Sequence, residues 1–214
     1  MALYSAAYYR QREINIFERH IAYRQEYERL TERVPDKGSV LDWGCGTGDF
    51  LELFTGWERY GVEVSDYAIR ESRAKGIRII DTVSAEKFDL AVFRGVLQHL
   101  DEPFTALRSA HRALYRGGAL AILAQPDADS LCYRLFGELP ALDPPRNWWI
   151  PGARELVNIL DKLGFVNIEI LRPYWGGPYA HPLRDFTRFL LRFAGIRRPF
   201  AFPGNMIELY AQKG

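Results

Sequence analysis

Three glycines at alternate positions, flanked by two acids, are the residues of this chain best placed to do chemistry: Val40-Leu41-Asp42-Trp43-Gly44-Cys45-Gly46-Thr47-Gly48-Asp49-Phe50. Glycine serves where the backbone must take φ > 0 or where a ligand must approach without a Cβ in the way. A buried strand entering this turn, with a helix expected over 49–54, would present unpaired N–H groups and a positive dipole end. The spacing separates ligand classes. A dinucleotide site uses G-x-G-x-x-G so that a pyrophosphate rests on the helix. Here the run is D-x-G-x-G-x-G, and Asp42 and Asp49 would repel a pyrophosphate. The same acids suit a ligand with an ammonium group and a further positive charge, which points to a sulfonium.

A third acid fits the same ligand. Glu63 ends the next strand in Tyr60-Gly61-Val62-Glu63-Val64, 19 residues after Gly44, close to the ~20 expected of a ribose acid. A carboxylate there can accept hydrogen bonds from both ribose hydroxyls.

His99 lies six residues after Phe93, in the turn leaving the fourth strand, and ligands of parallel sheets bind beyond the carboxyl ends of the strands. An imidazole there can take a proton near neutral pH; the other reading has it capping the loop, with Gln98 as a neighbour. His181, in the loop 175–181, could be a second base or a substrate contact. His111 reads as a solvated residue of an outer helix. Trp148, Trp149, Tyr174 and Trp175 fall in two proline-rich stretches. They read either as flat walls of an acceptor pocket or as cap packing. No His/Cys/Asp cluster has metal-ligand spacing, so no metal is expected. Cys45 and Cys132 lack CxxC spacing and suit a reducing compartment.

The elements that must position these residues follow from periodicity. Residues 8–33 are rich in Arg and Glu, with Ile14, Phe17, Ile21, Tyr27 and Leu30 at helical spacing, and 34–38 breaks the pattern. Strands are then expected at 40–43, 60–64, 77–80, 90–93 and 119–123, and helices at 49–54, 66–75 and 104–114. That alternation implies βαβ units and a parallel sheet. Gly117-Gly118 reads as the tight turn into the fifth strand. Beyond it come an irregular stretch (125–150), a helix over 152–163 stopped by Gly164, and a strand over 166–171. An amphipathic helix near 185–193 and a last strand over 205–212 follow. With no internal repeat or low-complexity linker, residues 1–214 read as a single domain. It has an N-terminal helical cap (1–37), a ligand-binding half (38–124) and a substrate-side half (125–214) with insertions at 125–150 and 173–204.

Composition narrows the classes. The 214 residues carry 28 Lys+Arg against 27 Asp+Glu, without the basic excess of a nucleic-acid-binding domain. The longest apolar run, 117–124, is too short to span a bilayer, and the N-terminus has no signal-peptide h-region. A soluble, cytoplasmic protein without stable membrane insertion is expected. The basic segment 184–198 is either a cap helix with solvated arginines or a contact for an anionic membrane or lipid-linked substrate.

The strand–DxGxGxG–helix–strand–Glu run resembles that of the class I S-adenosylmethionine-dependent methyltransferases. More narrowly, it is similar to the small-molecule branch that includes ubiquinone- and menaquinone-biosynthesis enzymes and many sugar and natural-product methyltransferases. Residues 88–100 (FDLAVFRGVLQHL) match that branch's fourth strand and following His turn, and 114–118 (LYRGG) its glycine turn. Residues 142–149 (LDPPRNWW) resemble a DPP segment of some members, with Asn147 where His often stands. The resemblance spans residues 38–172. It implies an α/β, Rossmann-like, seven-stranded, mostly parallel sheet with helices on both faces and an antiparallel last strand, plus N-terminal helices and a small helical cap. It implies S-adenosylmethionine as cofactor, S-adenosylhomocysteine as product, and no metal. Asp42, Gly44, Cys45, Gly46 and Gly48 would cradle the methionine part, and Glu63 would hold the ribose. Val64 and Ser65 would lie beside the sugar or adenine, Asp81 and Thr82 would face the adenine, and Arg94 and Gly95 would border the methionine. The link 83–87 is shorter than usual for the family. Tyr8 and Tyr9 resemble N-terminal tyrosines that close over the cofactor.

The expected activity is methylation of an O or N atom of a small molecule, a sugar or secondary metabolite first, with Trp148, Trp149, Trp175 and His181 toward the acceptor. A quinone- or lipid-type methyltransferase and a non-catalytic binding module are the alternatives. A nucleic-acid acceptor is not expected, because the fourth strand ends in Phe93-Arg94-Gly95-Val96 and no Pro-Cys nucleophile appears.

Overall fold

The computed structural model describes residues 5–12, 15–35, 37–139 and 149–214. Helices α1 (Ala6–Arg12) and α2 (Ile16–Thr31) precede β1 (Ser39–Trp43), β2 (Glu58–Val62), α3 (Asp66–Ala74) and β3 (Arg78–Ile79). Then come β4 (Phe88–Arg94), α4 (Pro103–Ala113), β5 (Leu114–Pro126), α5 (Leu131–Phe136) and α6 (Ala153–Leu163). Strand β6 (Phe165–Leu171), α7 (Pro182–Phe193) and β7 (Met206–Lys213) complete the order. Among the described residues the strands form one seven-stranded sheet, ordered β3-β2-β1-β4-β5-β7-β6. Pairs among β1 to β5 are parallel, and β7 is antiparallel to β5 and β6. The strand order reverses at β1, flanked by β2 and β4, and such a switch point opens a crevice at the strands' carboxyl ends.

The central strands read as near-continuous apolar runs because both faces are covered. Val40 and Leu41 of β1 and Leu90 to Phe93 of β4 are fully buried. On one face α4 and α6 supply Leu107, Ala110, Leu156 and Leu160. On the other α2 supplies Tyr23 and Leu30, packed with Phe50, Leu51 and Phe54. Charged pairs also tie α2 to the sheet: Glu26 to Arg94, Arg29 to Glu208, and Arg33 to Glu169.

Three local readings differ from the structure. The helix expected over 49–54 is a single 3-10 turn, Leu51–Leu53. Phe50, Leu51 and Phe54 are all buried, with Phe50 edge-on to Tyr23 and Phe54 to Tyr27. Leu53 and Phe54 donate three residues back, to Phe50 and Leu51, and the chain then turns at Gly56 (φ 80°) to enter β2 at Glu58. Gly117-Gly118 does not precede the fifth strand but lies within it. Phe88 pairs with Leu114 and Leu90 with Ala119, so the glycines occupy a break in register. His111 is half-buried rather than solvated, edge-on to Phe165 at 4.9 Å. Burial, helped by Lys213, holds its pKa below the usual imidazole value.

Candidate active site

The carboxyl ends of β1, β2 and β4 open onto a cavity of about 670 Å³, covered by Tyr8 and Tyr9 of α1 and by Arg19 and Tyr23 of α2. The three glycines enter it differently. All have positive φ, 67° at Gly44, 58° at Gly46 and 82° at Gly48. A Cβ on Gly44 would come within 2.5 Å of Val96 Cγ2, and one on Gly48 within 2.2 Å of Ile77 Cδ1. Those two let the turn close on its neighbours. A Cβ on Gly46 would stand in the cavity, its nearest contact being Tyr9 Cε1 at 3.6 Å.

Gly46 also links the turn to Glu63. Its N–H donates to Glu63 Oε2 at 2.9 Å, while the N–H groups of Val64 and Ser65 donate to Oε1 at 2.8 and 2.9 Å. Three backbone donors fix this carboxylate at the tip of β2, where it lines the cavity.

Asp42 is 2% exposed, and its Oδ1 is buried with no hydrogen-bond partner among the described residues. Burial pushes its carboxyl well above the usual carboxylate value; Arg94 opposes this, and Glu63 and Glu26 add to it. A buried acid that lacks a donor is costly. A ligand ammonium or N–H at this point in the cavity would satisfy it. Asp49, in contrast, is already partnered. The Thr47 hydroxyl donates to it at 3.0 Å and the Lys75 ammonium pairs with it while reaching Glu52 at 2.8 Å. Burial alone would raise the Asp49 carboxyl, but Lys75, helped by the Thr47 hydroxyl and His20, holds the group below its usual value. Of the two acids of the turn, Asp49 is therefore already engaged by a cation of the chain.

Arg94, at the end of β4, is paired with Glu26 of α2 and lies over the Tyr23 ring, 4.1 Å from its centroid. Cys45 is buried, and burial pushes its thiol up, leaving it a neutral packing group. It packs where Gly61 leaves room, since a Cβ on Gly61 would lie 2.4 Å from Cys45 Sγ.

His99 closes the 3-10 turn Leu97–His99 and lines the cavity with Gly95 and Val96, its Nε2 at 3.4 Å from Gln98 Nε2. Val64 and Ser65 are also in the lining. Asp81 and Thr82 are exposed at the end of β3 and outside it. Trp149, Trp175 and His181 are not in the lining either. Trp149 packs on Phe104 at 5.1 Å, Trp175 lies edge-on to Tyr174 and is 73% exposed, and the His181 N–H donates to Asp185 at the start of α7. Trp148 and Asn147 lie outside the described residues.

Sequence reading missed Arg19, Tyr23, Glu26 and Lys75. The first three recur at i, i+4 and i+7 along α2, a signal that one helix face is shared between core and cavity. Among the described residues no group of three or more His, Cys, Asp or Glu could hold a metal. No helix there is long and apolar enough to cross a membrane.

Comparison with known proteins agrees with this geometry. A family model described as a methyltransferase domain matches residues 15–170. The chain is 30% identical over 159 residues to an uncharacterized protein of Methanocaldococcus jannaschii, covering 71% of this chain and 76% of that one. It is 27% identical over 183 residues to the tRNA U34 carboxymethyltransferase of Desulfotalea psychrophila, covering 77% of this chain but 57% of the relative. In fold it is similar to a Thermotoga maritima S-adenosylmethionine-dependent methyltransferase described as a possible histamine N-methyltransferase. That likeness has a TM-score of 0.70 at 20% identity and covers 97% of each chain. The matched domain spans the glycine turn, Glu63 and the His99 turn, and the strand order agrees with it: the chain belongs to the class I S-adenosylmethionine-dependent methyltransferases.

Proposed function

We propose that the cavity holds S-adenosylmethionine on Asp42, Gly44, Gly46 and Glu63, and that the acceptor is an oxygen or nitrogen atom of a small molecule. The observation that carries the cofactor placement is the Gly46–Glu63 contact, which puts a cavity-facing backbone without a Cβ beside a fixed carboxylate. Asp42 Oδ1, without a donor among the described residues, suits the same group, since a methionine ammonium carries one. Glu63 keeps lone pairs free for ribose hydroxyls after accepting three N–H bonds.

When bound, S-adenosylmethionine supplies an electrophilic methyl group to a nucleophilic atom in line with it. The work left to the chain is positioning, exclusion of water and removal of one proton. Tyr8 and Tyr9 cover the cavity, Gly95 leaves the end of β4 open to the acceptor, and His99 receives the acceptor's proton on its ring. Cys45, buried and neutral, takes no part as a nucleophile.

A sugar or secondary metabolite remains the preferred acceptor, walled by the tyrosines of α1 and α2 instead of by Trp149 or Trp175. A nucleic-acid acceptor is the second reading, favoured by the likeness to the tRNA U34 carboxymethyltransferase and opposed by the formal net charge of +1. Transfer of labelled methyl groups to a small-molecule extract and to total tRNA, in parallel, separates the two. Label in tRNA alone would overturn the small-molecule reading.

A further inference from the structure

Helix α7 carries Leu183, Phe186, Leu190 and Phe193 on its outer side, 89, 52, 61 and 63% exposed. Their spacing of three, four and three residues sets them in one stripe. The inner side is already engaged. Asp185 accepts from the Tyr174 hydroxyl at 3.0 Å, and Phe189 stacks on Phe202 at 4.5 Å. Phe186 touches Phe202 at 5.5 Å and Phe193 meets Phe136 edge-on at 5.1 Å, so these two rings anchor the edges of the stripe while Leu183 and Leu190 face solvent.

The charge beside it is predominantly positive, with Arg184 held by Asp185 at 3.1 Å. Residues 182–198 hold Arg184, Arg188, Arg192, Arg197 and Arg198 against Asp185 alone, which is buried. Arg192 is engaged by Glu138, and Arg197 stands 4.0 Å from that acid with its side chain 79% exposed. An apolar stripe of four large side chains does not suit a phosphate backbone. A second copy in twofold contact would set like patches, and their arginines, against each other. Apolar side chains entering the acyl boundary while arginines meet anionic headgroups is the arrangement of an interfacial helix.

We propose that α7 and the Arg197–Arg198 turn dock the chain on an anionic phospholipid surface. The helix lies in the interface and does not span it, and the docking is independent of what the cavity binds.

Co-sedimentation of the full chain with phosphatidylcholine vesicles, with and without phosphatidylglycerol, tests this. Binding is expected to the phosphatidylglycerol-containing vesicles and to fall steeply with salt. Leu183→Asp/Leu190→Asp should abolish it, and Arg197→Ala/Arg198→Ala should weaken it roughly tenfold or more. All these positions are solvent-facing, so unchanged circular dichroism melts are expected and separate docking from misfolding. Three results would overturn the proposal. One is failure to bind either vesicle. Another is a dimer in sedimentation velocity that Leu190→Asp dissociates. The third is vesicle binding that survives Leu183→Asp/Leu190→Asp, leaving only a charge effect.

Discussion

The Arg94 guanidinium meets the Glu26 carboxylate at two points, Nε to Oε2 at 2.5 Å and Nη2 to Oε1 at 3.0 Å, joining the end of β4 to the middle of α2. Both groups are largely withdrawn from water, with side chains 13% and 7% exposed. Removing one partner of a buried pair strands the other charge, at a cost of about 3–5 kcal/mol. Glu26→Ala should therefore lower stability by about that much in chemical denaturation, and Glu26→Ala/Arg94→Met should recover part of the loss. A loss in the double variant equal to the sum of the Glu26→Ala and Arg94→Met losses would show that the pair is not coupled.

Asp42 should respond with opposite signs in stability and binding. Its folded pKa is raised, chiefly by burial, so the folded state keeps a proton that the unfolded state releases. Stability contributed by that proton is present at low pH and is lost as pH rises from the ordinary carboxylate range through the raised value. Asp42→Asn removes the penalty, and a gain of about 1 kcal/mol should raise Tm by about 2–4 °C at neutral pH. The same change removes a carboxyl that a bound cation would draw into its charged form, so affinity for S-adenosylhomocysteine should fall about tenfold or more. Thermal melts and titration on the same sample read both signs, and a variant that is both less stable and tighter-binding would contradict the assignment.

Gly46 and Gly48 should separate as well. Gly48→Ala places a Cβ against Ile77 and should disturb the fold, seen as a lowered melting midpoint. Gly46→Val has room apart from its positive φ, which costs roughly 1–2 kcal/mol, yet it fills the cavity. It should stay folded and lose cofactor binding.

His99→Ala should lower turnover about a hundredfold or more while leaving cofactor affinity intact, if the imidazole takes the acceptor's proton. Near-wild-type turnover would assign His99 to the loop alone.

Much of this was legible in the sequence, and the reasons are local. The strands of the parallel core announce themselves as apolar runs, and Gly164 ends α6 at φ 92° as a helix-stopping glycine should. The D-x-G-x-G-x-G turn and Glu63 could be read because strand ends and spacing fix their place. Partners distant in sequence could not. Glu26 finds Arg94 68 positions away and Arg29 finds Glu208 179 positions away, and no periodicity encodes such pairs. The charge argument from Asp49 failed similarly, since Lys75, 26 residues on, neutralises it. Trp149 and Trp175 were read toward the acceptor from composition, and composition could not show their contacts with Phe104 and Tyr174.

Cofactor binding as proposed rests on the Gly46–Glu63 corner of the cavity. Calorimetric titration of the chain and of Glu63→Ala with S-adenosylhomocysteine, with NAD as control, tests it most directly. Micromolar binding of S-adenosylhomocysteine alone is expected, weakened by about 1–3 kcal/mol in Glu63→Ala. Affinity unchanged by the substitution, or preference for NAD, would contradict it.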